Sequence, residues 1–594
     1  MPPPCRLSGD PWLPGLLLAL LLASAAAAPC RMPDGAAHGS CGLPYELSNF
    51  QGNEKCDPSV RIGRPRDWSQ LAALVRAFPQ VKASGVGHSW WSGQFCAGTN
   101  ASAINVVTTE FDDVLRSTRT GDLSRLVAVD ERARTVTAPA GITQRALLEF
   151  LAGYRTAAAP EGYTLGSFSW FIDQTLGGAV STGSHGSSLQ YGSLSNQAGG
   201  AALHCQRSAH GAAALKAIKW MDATGAVHTA TPEAEPHLWR ALAVSVGRLG
   251  IILEVTFGIV HNTSDATADE FLAQLRSLQE GYNAARRSGG SQEAVARAIW
   301  NIFWHIPLHS AWLVTFEHFD NATAAPPPVS ALDGPADEAA RAAVRGGRRG
   351  AEGSGGDGGA LPEGAFTQRR VEPVGVAPGM EGGALYWAGV YSAWLGINVQ
   401  SETLPARQAY LSLSEMENLM YSPYNSYDQY EIAIPLSRAA DCMDAFAAAV
   451  YGPAALWRGF RTPPLLRFVA GEPSFLAPSN WGATLYMNLE DHAAFSVLRT
   501  HPACRGRMHW GKAGWPAHAA CFDGAKEYGA GWCHFGCEAV ARDPAGKFAS
   551  SAGGDVWTWH ASIGGARVER FQACCRGGAF DEGRCECAAR PDCG

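Results

Sequence analysis

Between residues 59 and 260 the apolar positions switch repeatedly between two periods. In DWSQLAALVRAF (67–78) and ITQRALLEFLAGY (142–154) they recur every third or fourth residue, the spacing of one helix face. SAINVV (102–107), LVAVD (126–130) and TVTAPAG (135–141) are short β-branched runs that predict strands. KAIKWMDATGAVHTA (216–230) predicts a hairpin turning at Thr224-Gly225. Three glycine-rich stretches interrupt this pattern: VKASGVGHSWW (81–91), a strand running into a turn; TLGGAVSTGSHGSS (175–188); and SVGRLGIILEVTF (245–257), which ends as an apolar strand. From about residue 324 to 370 the periodicity collapses into Pro, Gly, Ala and charge, which predicts a disordered insertion. Patterned sequence resumes in ALYWAGVYSAW (384–394), YDQYEIAIPLSRAADCMDAFAAAV (427–450) and RFVAGEPSFLAPSNWGATLYMNLED (467–491).

Composition changes the picture in two ways. A net charge of -7 spread over 594 residues gives no basic footprint for nucleic acid or an anionic membrane. The N-terminus has Arg6 followed by GLLLALLLASAAAA, a run short for a membrane span, with small residues at 26–28; this predicts a secretory signal peptide over 1–28 and a secreted or secretory-pathway chain with no membrane span. Three N-x-S/T sequons, at Asn100, Asn262 and Asn321, and sixteen cysteines fit that compartment. Nine of the cysteines fall between 504 and 593. Its end, ACCRGGAFDEGRCECAARPDC (573–593), could be a zinc knuckle but contains no histidine, so disulfides are the better reading and no metal site is expected.

The glycine-rich turns carry the candidate chemistry. Successive backbone N–H groups in such turns form anion-binding concavities, and glycine lets a ligand approach the main chain. No GxGxxG follows the first strand and no GxxxxGK[ST] occurs, which argues against Rossmann and P-loop sites. Taken alone, His88 after Gly85-Val86-Gly87 is open to three readings: a loop residue, a metal ligand or a nucleophile.

GVGHSWWSG, TLGGAVSTGSHGSS and VGRLGIILEVTF, in this order and separation, resemble the FAD-binding domain of vanillyl-alcohol-oxidase-type flavoproteins. Downstream, YEIAIPL, RFVAGEPSFLAP, MHWGK and RDPAGKF resemble the aldonolactone oxidases, the group holding L-gulonolactone and arabinonolactone oxidases, and within it the secreted plant L-gulonolactone oxidase-like proteins. The resemblance covers about residues 45–560 apart from the insertion. It implies an α+β fold in these parts: a Cys-containing segment (29–58), a two-part FAD-binding domain (59–260), an antiparallel-sheet substrate or cap domain (261–500), a segment returning to the flavin (501–560) and a Cys-rich tail (561–594).

The resemblance also implies roles. His88 would be bonded to the flavin's 8α methyl carbon; Gly85, Val86, Gly87 and Ser89 would cradle the pyrophosphate. Gly177, Gly178, Ser181, Thr182, Gly183, His185 and Gly186 would line the ring and ribityl chain, and Gly250, Ile251 and Ile252 would lie along the FAD. Lys512 would place a cation at the flavin's pyrimidine edge, and Glu431 with Pro435 would frame the substrate side. Relatives carry a Glu-x-Arg dyad where this chain reads Leu465-Leu466-Arg467, so Arg467 is kept and the carboxylate is not. Arg467 can stabilise oxyanion charge; His509, Glu431 or solvent would take the hydroxyl proton. The expected activity is oxidation of a secondary alcohol of a sugar lactone, with O2 as acceptor giving H2O2. The alternatives are an alditol or sugar oxidase, a dehydrogenase using another acceptor, and a secreted flavoprotein whose catalytic side has decayed.

Overall fold

A computed structural model describes residues 47–49, 54–160, 162–169, 171–187, 192–195, 215–261, 428–453, 456, 464–490, 492–515, 518 and 522–591, together with the backbone of strands at 29–31, 37–42, 301–305, 310–319, 365–369 and 403–405. The elements that position the site are built as the apolar periods predict. Helix α1 (Trp68–Ala77) is N-capped by Asp67, whose carboxylate accepts from the Gln70 N–H, and buries Leu71, Leu74 and Val75. Strand β1 (Arg61–Arg64) and strand β2 (Gln80–Ser84) both pair in parallel with β3 (Ala103–Val107). Antiparallel strands at Ala37–Gly42 and Pro29–Arg31 extend that first sheet.

A second, wholly antiparallel sheet lies beside it. Its order is β7 (Val227–Ala230), β6 (Leu215–Met221), β8 (Ile251–Gly258), β5 (Thr135–Pro139) and β4 (Ala128–Asp130). The predicted hairpin is formed by β6 and β7, with Gly225 at φ 81° in its turn. Helix α2 (Asp112–Thr120) follows β3, helix α3 (Gln144–Gly153) packs Leu147, Leu148 and Leu151 into the core shared by both sheets, and helix α4 (Leu176–Thr182) comes next.

The third sheet has eight antiparallel strands. Its centre is β9 (Tyr430–Pro435), β10 (Leu465–Val469), β11 (Thr484–Leu489) and the short β12 (Arg507–Met508), with β11 between β9 and β10 and β12 beside β9. Strands at 301–305, 310–319, 365–369 and 403–405 continue beyond β10. The mixture of helices with two mainly antiparallel sheets and one mixed sheet is α+β, as expected.

The stretch expected to be unstructured over 324–370 includes one strand. AFTQR (365–369), with Phe366 and Thr367 as β-formers, pairs with the strand at 310–319. Residues 324–364, ALYWAGVYSAW and the expected signal peptide lie outside the described residues. No helix among the described residues is long and apolar enough to cross a membrane.

Five disulfides occur among the described residues: Cys56–Cys96, Cys442–Cys504, Cys533–Cys587, Cys537–Cys575 and Cys574–Cys585. Cys533–Cys587 and Cys537–Cys575 bind the C-terminal tail to the helix Ala530–Arg542, Cys574–Cys585 closes a loop within the tail, and Phe571 and Phe580 form a small separate core with them. Behind the site, Trp91, Trp515, Trp510, Trp557 and Trp532 stack in succession with ring centroids 4.5 to 5.9 Å apart. That stack joins the first sheet to the C-terminal segment.

Candidate functional site

Strand β2 runs straight into Gly85-Val86-Gly87-His88-Ser89, where Gly87 takes φ 80°, a conformation glycine adopts without penalty. At Gly85 a Cβ would lie 2.2 Å from Thr175 Oγ1, so this turn and the start of α4 touch directly. The Gly177 N–H donates to the Ala140 carbonyl at 2.9 Å, seating α4 against the second sheet, and Gly183 ends the helix at φ 69°. Ser181 and Thr182 turn their hydroxyls back onto the carbonyls of Gly177 and Gly178.

The third sheet supplies the opposite wall. Glu431 on β9 stands opposite Asn488 of β11, and Arg467 on β10 stands opposite Tyr486. With side chains alternating along strands, both point from the same face of the sheet. There Arg467 and Glu431 form a buried ion pair, and Arg467 Nη1 donates to the His185 carbonyl at 3.1 Å. Pairing of β12 with β9 brings in the HWGK segment: the His509 N–H donates to the Glu431 carbonyl at 3.1 Å. The Gly511 carbonyl then accepts from the Trp90 N–H at 3.1 Å, which ties the segment to the His88 turn. Lys512 Nζ is hydrogen-bonded to Gln429 and lies 4.6 Å and 4.8 Å from the ring centroids of Trp90 and Phe171. The HWGK segment thus meets the glycine turn at Trp90.

These walls enclose one cavity of about 330 Å³. Of the residues singled out from sequence, it brings together Gly85, Val86, Gly87, His88, Ser89, Gly177, Gly178, Ser181, Thr182, His185, Gly250, Ile252, Glu431, Arg467, His509 and Lys512. Gly183, Gly186 and Ile251 are not in the wall. Gly183 caps α4; a Cβ on Gly186 would meet the Phe168 carbonyl at 2.4 Å; Ile251 is packed in the core. Pro435 ends β9 away from the cavity lining. The cavity adds residues that sequence reasoning missed, among them Lys82, Thr108, Gln174 and Thr175. Nothing in the sequence marks Lys82, a lysine inside a strand three residues before the glycine turn.

Electrostatics sort the ionisable groups. His88 is half-buried, its ring 6.0 Å from that of Phe171; burial lowers its pKa to about 4, with Asp173 opposing and Lys512 assisting, so the imidazole is neutral at pH 7. Burial would raise the Glu431 carboxyl, but Arg467, His185, His509 and Lys512 outweigh it and hold it well below the usual carboxylate range. Burial and Arg467 push His185 well below the usual imidazole value. His185 Nδ1 donates to the Gly186 carbonyl at 2.9 Å, and its Nε2 lies 3.6 Å from Glu431 Oε1. His509, lowered to about 4 chiefly by burial, accepts the Gly511 N–H on Nδ1 at 3.0 Å and is hydrogen-bonded to the Gly183 backbone. Its acceptor nitrogen is therefore already engaged.

His185, Glu431 and His509 place ligand-type atoms within 4.8 Å of one another. Glu431 is paired with Arg467, and His509 Nδ1 accepts the Gly511 N–H. Nearby, Glu472 is buried among Ser193, Ser195 and Ser479, accepting from Ser193 Oγ at 2.7 Å and Ser479 Oγ at 3.0 Å.

The residues present fit FAD. Glycine-rich main chain, a neutral imidazole and two lysines, Lys82 and Lys512, line one cavity. Such a set offers close approach for a diphosphate and cationic donors for an acceptor-rich ring system. Fold and site together define an FAD-binding protein, and residues 61–208 match the family described as FAD binding domain.

The relatives are more particular. A putative D-arabinono-1,4-lactone oxidase of Neurospora crassa is 32% identical over 201 residues, 33% of this chain and 29% of that protein. L-gulonolactone oxidase of Mus musculus is 25% identical over 251 residues, 40% of this chain and 47% of the relative. L-gulonolactone oxidase 5 of Arabidopsis thaliana is 27% identical over 217 residues, 35% and 33% respectively. The chain thus carries an FAD-binding domain and is homologous to proteins named aldonolactone oxidases, although each match spans less than half of the relative's length.

Proposed function

We propose that this chain is a secreted FAD-dependent oxidoreductase that oxidises a secondary alcohol of a sugar lactone, L-gulono-1,4-lactone or a similar aldonolactone, with oxygen as acceptor giving hydrogen peroxide. FAD, when bound, supplies the hydride-accepting chemistry. The observation that carries the reading is that Glu431 and Arg467 from the third sheet and Lys512 from the HWGK segment open into the same cavity as His88 and the glycine turns. Arg467 presents a fixed cation to the oxygen of the alcohol as charge builds there. Glu431 holds that guanidinium in place and accepts the hydrogen bond of the hydroxyl. His509 acts by positioning, since its engaged Nδ1 fixes the Gly511-Lys512 turn. Lys512 holds a positive charge beside Trp90 and Phe171, where the ring system would lie.

A neutral His88 has a nucleophilic ring nitrogen, and this supports covalent attachment of the flavin there. Secretion is supported by the five disulfides, which form and persist in oxidising compartments, and by an exposed Asn100 at one sequon. The test of linkage is acid precipitation of the purified protein: flavin stays with the wild-type pellet and leaves with the supernatant in His88→Ala. Wild-type flavin found wholly in the supernatant removes the covalent link. Activity is read as peroxide release across a panel of aldonolactones, alditols and free sugars, and a response to alditols alone replaces the lactone reading.

A further inference from the structure

Lys82 sits on β2 with 3% of its surface exposed, yet it lines the cofactor cavity. Its Nζ donates to the Val246 carbonyl at 2.7 Å, and a Cβ placed on Gly247 would lie 3.5 Å from it. Val246 and Gly247 are both left-handed, at φ 51° and 65°; for a β-branched residue this is a strained conformation that the surroundings must enforce. Two contacts enforce it: the Lys82 ammonium on the Val246 carbonyl, and the Val246 N–H on the Ser181 carbonyl at 2.9 Å, at the end of α4. The ammonium is thereby held on the 245–248 turn, which is itself tied to α4, and Lys82 lines the cavity.

What the site lacks is an anion. Among the described residues no carboxylate forms an ion pair with Lys82. The charged group acting on it is another cation, Arg248, which is itself committed to Asp543 at 2.5 Å. A buried ammonium with a single carbonyl acceptor and a repelling neighbour is unfavourable unless a ligand brings negative charge. We propose that Lys82 is the counter-ion for the diphosphate bridge of the dinucleotide, held at the cavity wall by the Val246-Gly247 turn. This rests on the FAD reading and adds to it a charged partner that the glycine turns, offering only backbone dipoles, do not provide.

A pH signature follows. Without a ligand, burial and Arg248 lower the Lys82 pKa to about 7, so above that value anion binding must bring a proton with it. Diphosphate affinity should then fall about tenfold per pH unit. The probe is ADP, which has the diphosphate but no flavin, titrated calorimetrically into the full chain produced flavin-free under riboflavin limitation. Between pH 7.5 and 9.5 the phosphate's own second ionisation, near 6, is complete. The wild-type Kd should rise about a hundredfold across that window, while adenosine, lacking phosphate, shows no slope. Lys82→Met should bind ADP more weakly at pH 7.5 and without a slope, and Lys82→Arg, a fixed charge, should bind it without a slope. Should Lys82→Met fail to fold, the wild-type slope against adenosine still decides. A pH-independent wild-type Kd, or Lys82→Met matching wild type, overturns the proposal. Flavin in the purified holoprotein alongside that result leaves the FAD reading standing; absence of flavin there removes both.

Discussion

Arg467 and Glu431 are each buried against the other, with side-chain exposures of 6% and 0%. Removing either one leaves an uncompensated charge, but the two losses differ in kind. In Arg467→Met the remaining carboxylate can escape by taking up a proton. Its usual pKa is 4.5, so neutralising it at pH 7 costs at most about 2.5 × 1.36, roughly 3.4 kcal/mol, and at pH 5 only about 0.7 kcal/mol. The sign follows from the direction of the shift. Without Arg467, burial raises the folded-state pKa above the unfolded one, so stability is retained below pH 4.5 and lost as pH rises through the raised value. The destabilisation of Arg467→Met should therefore grow by about 1.4 kcal/mol per pH unit between pH 5 and 7.

Glu431→Gln has no such escape, because a guanidinium keeps its proton. It should lose about 3–5 kcal/mol at every pH in that range. The double variant should be more stable than the sum of the singles implies, by about 2–3 kcal/mol. Urea unfolding followed by tryptophan fluorescence at pH 5, 6, 7 and 8 measures all four proteins. An Arg467→Met penalty of equal size at pH 5 and 8, or a Glu431→Gln variant as stable as wild type, would refute this account of the pair.

Three other expectations follow from the same geometry. Glu472 is raised to about 7 by burial, so its contribution is present below pH 4.5 and lost as pH climbs through 7; wild type should lose about 2.5 kcal/mol relative to Glu472→Gln between pH 5 and 8, read from urea midpoints. Lys512→Met should lower the rate of flavin reduction by substrate about a hundredfold in anaerobic stopped flow, and an unchanged rate would take Lys512 out of the chemistry. Cys56–Cys96 closes a span of 40 residues, so Cys56→Ser should cost about 4 kcal/mol by chain entropy, measured under non-reducing conditions.

Local periodicity made much of the FAD-binding region readable. The helices at 68–77 and 144–153 and the 215–230 hairpin each bury an apolar set fixed by their own repeat, so their sequence specifies them without the rest of the chain. The glycine turns were legible for a related reason: positions such as Gly87 and Gly183 require a left-handed backbone, and that requirement is written in the residue type. Pairings that join distant segments left no comparable mark. The cysteine partners depend on three-dimensional proximity, as with Cys442 and Cys504, brought together by packing of the helices at 439–451 and 492–500. Lys82 reads as an ordinary strand residue until the turn at 246–247, 164 positions later, is seen folded over it.

The missing carboxylate illustrates the limit most sharply. Along the chain, Leu465 stands where a glutamate would precede Arg467, and this suggests a lone guanidinium with no acidic partner. Across the sheet the arithmetic differs. Leu465 and Glu431 both stand opposite Asn488, one from each side of β11, so they occupy the same transverse row on the same face. A carboxylate on β9 can therefore serve an arginine on β10 although 35 residues and one intervening strand separate them, and here it does. What a strand neighbour two residues away would supply locally is supplied laterally, by register. Lateral partners are set by which strands align, and that alignment follows from the burial of Ile432, Phe468 and Leu485 rather than from any motif. Leu465 thus removes a second acid from the cavity wall without leaving Arg467 unpaired. This argues against a decayed catalytic side, because the cation that the proposed oxidation needs is held by a carboxylate that the fold, not the dyad, provides.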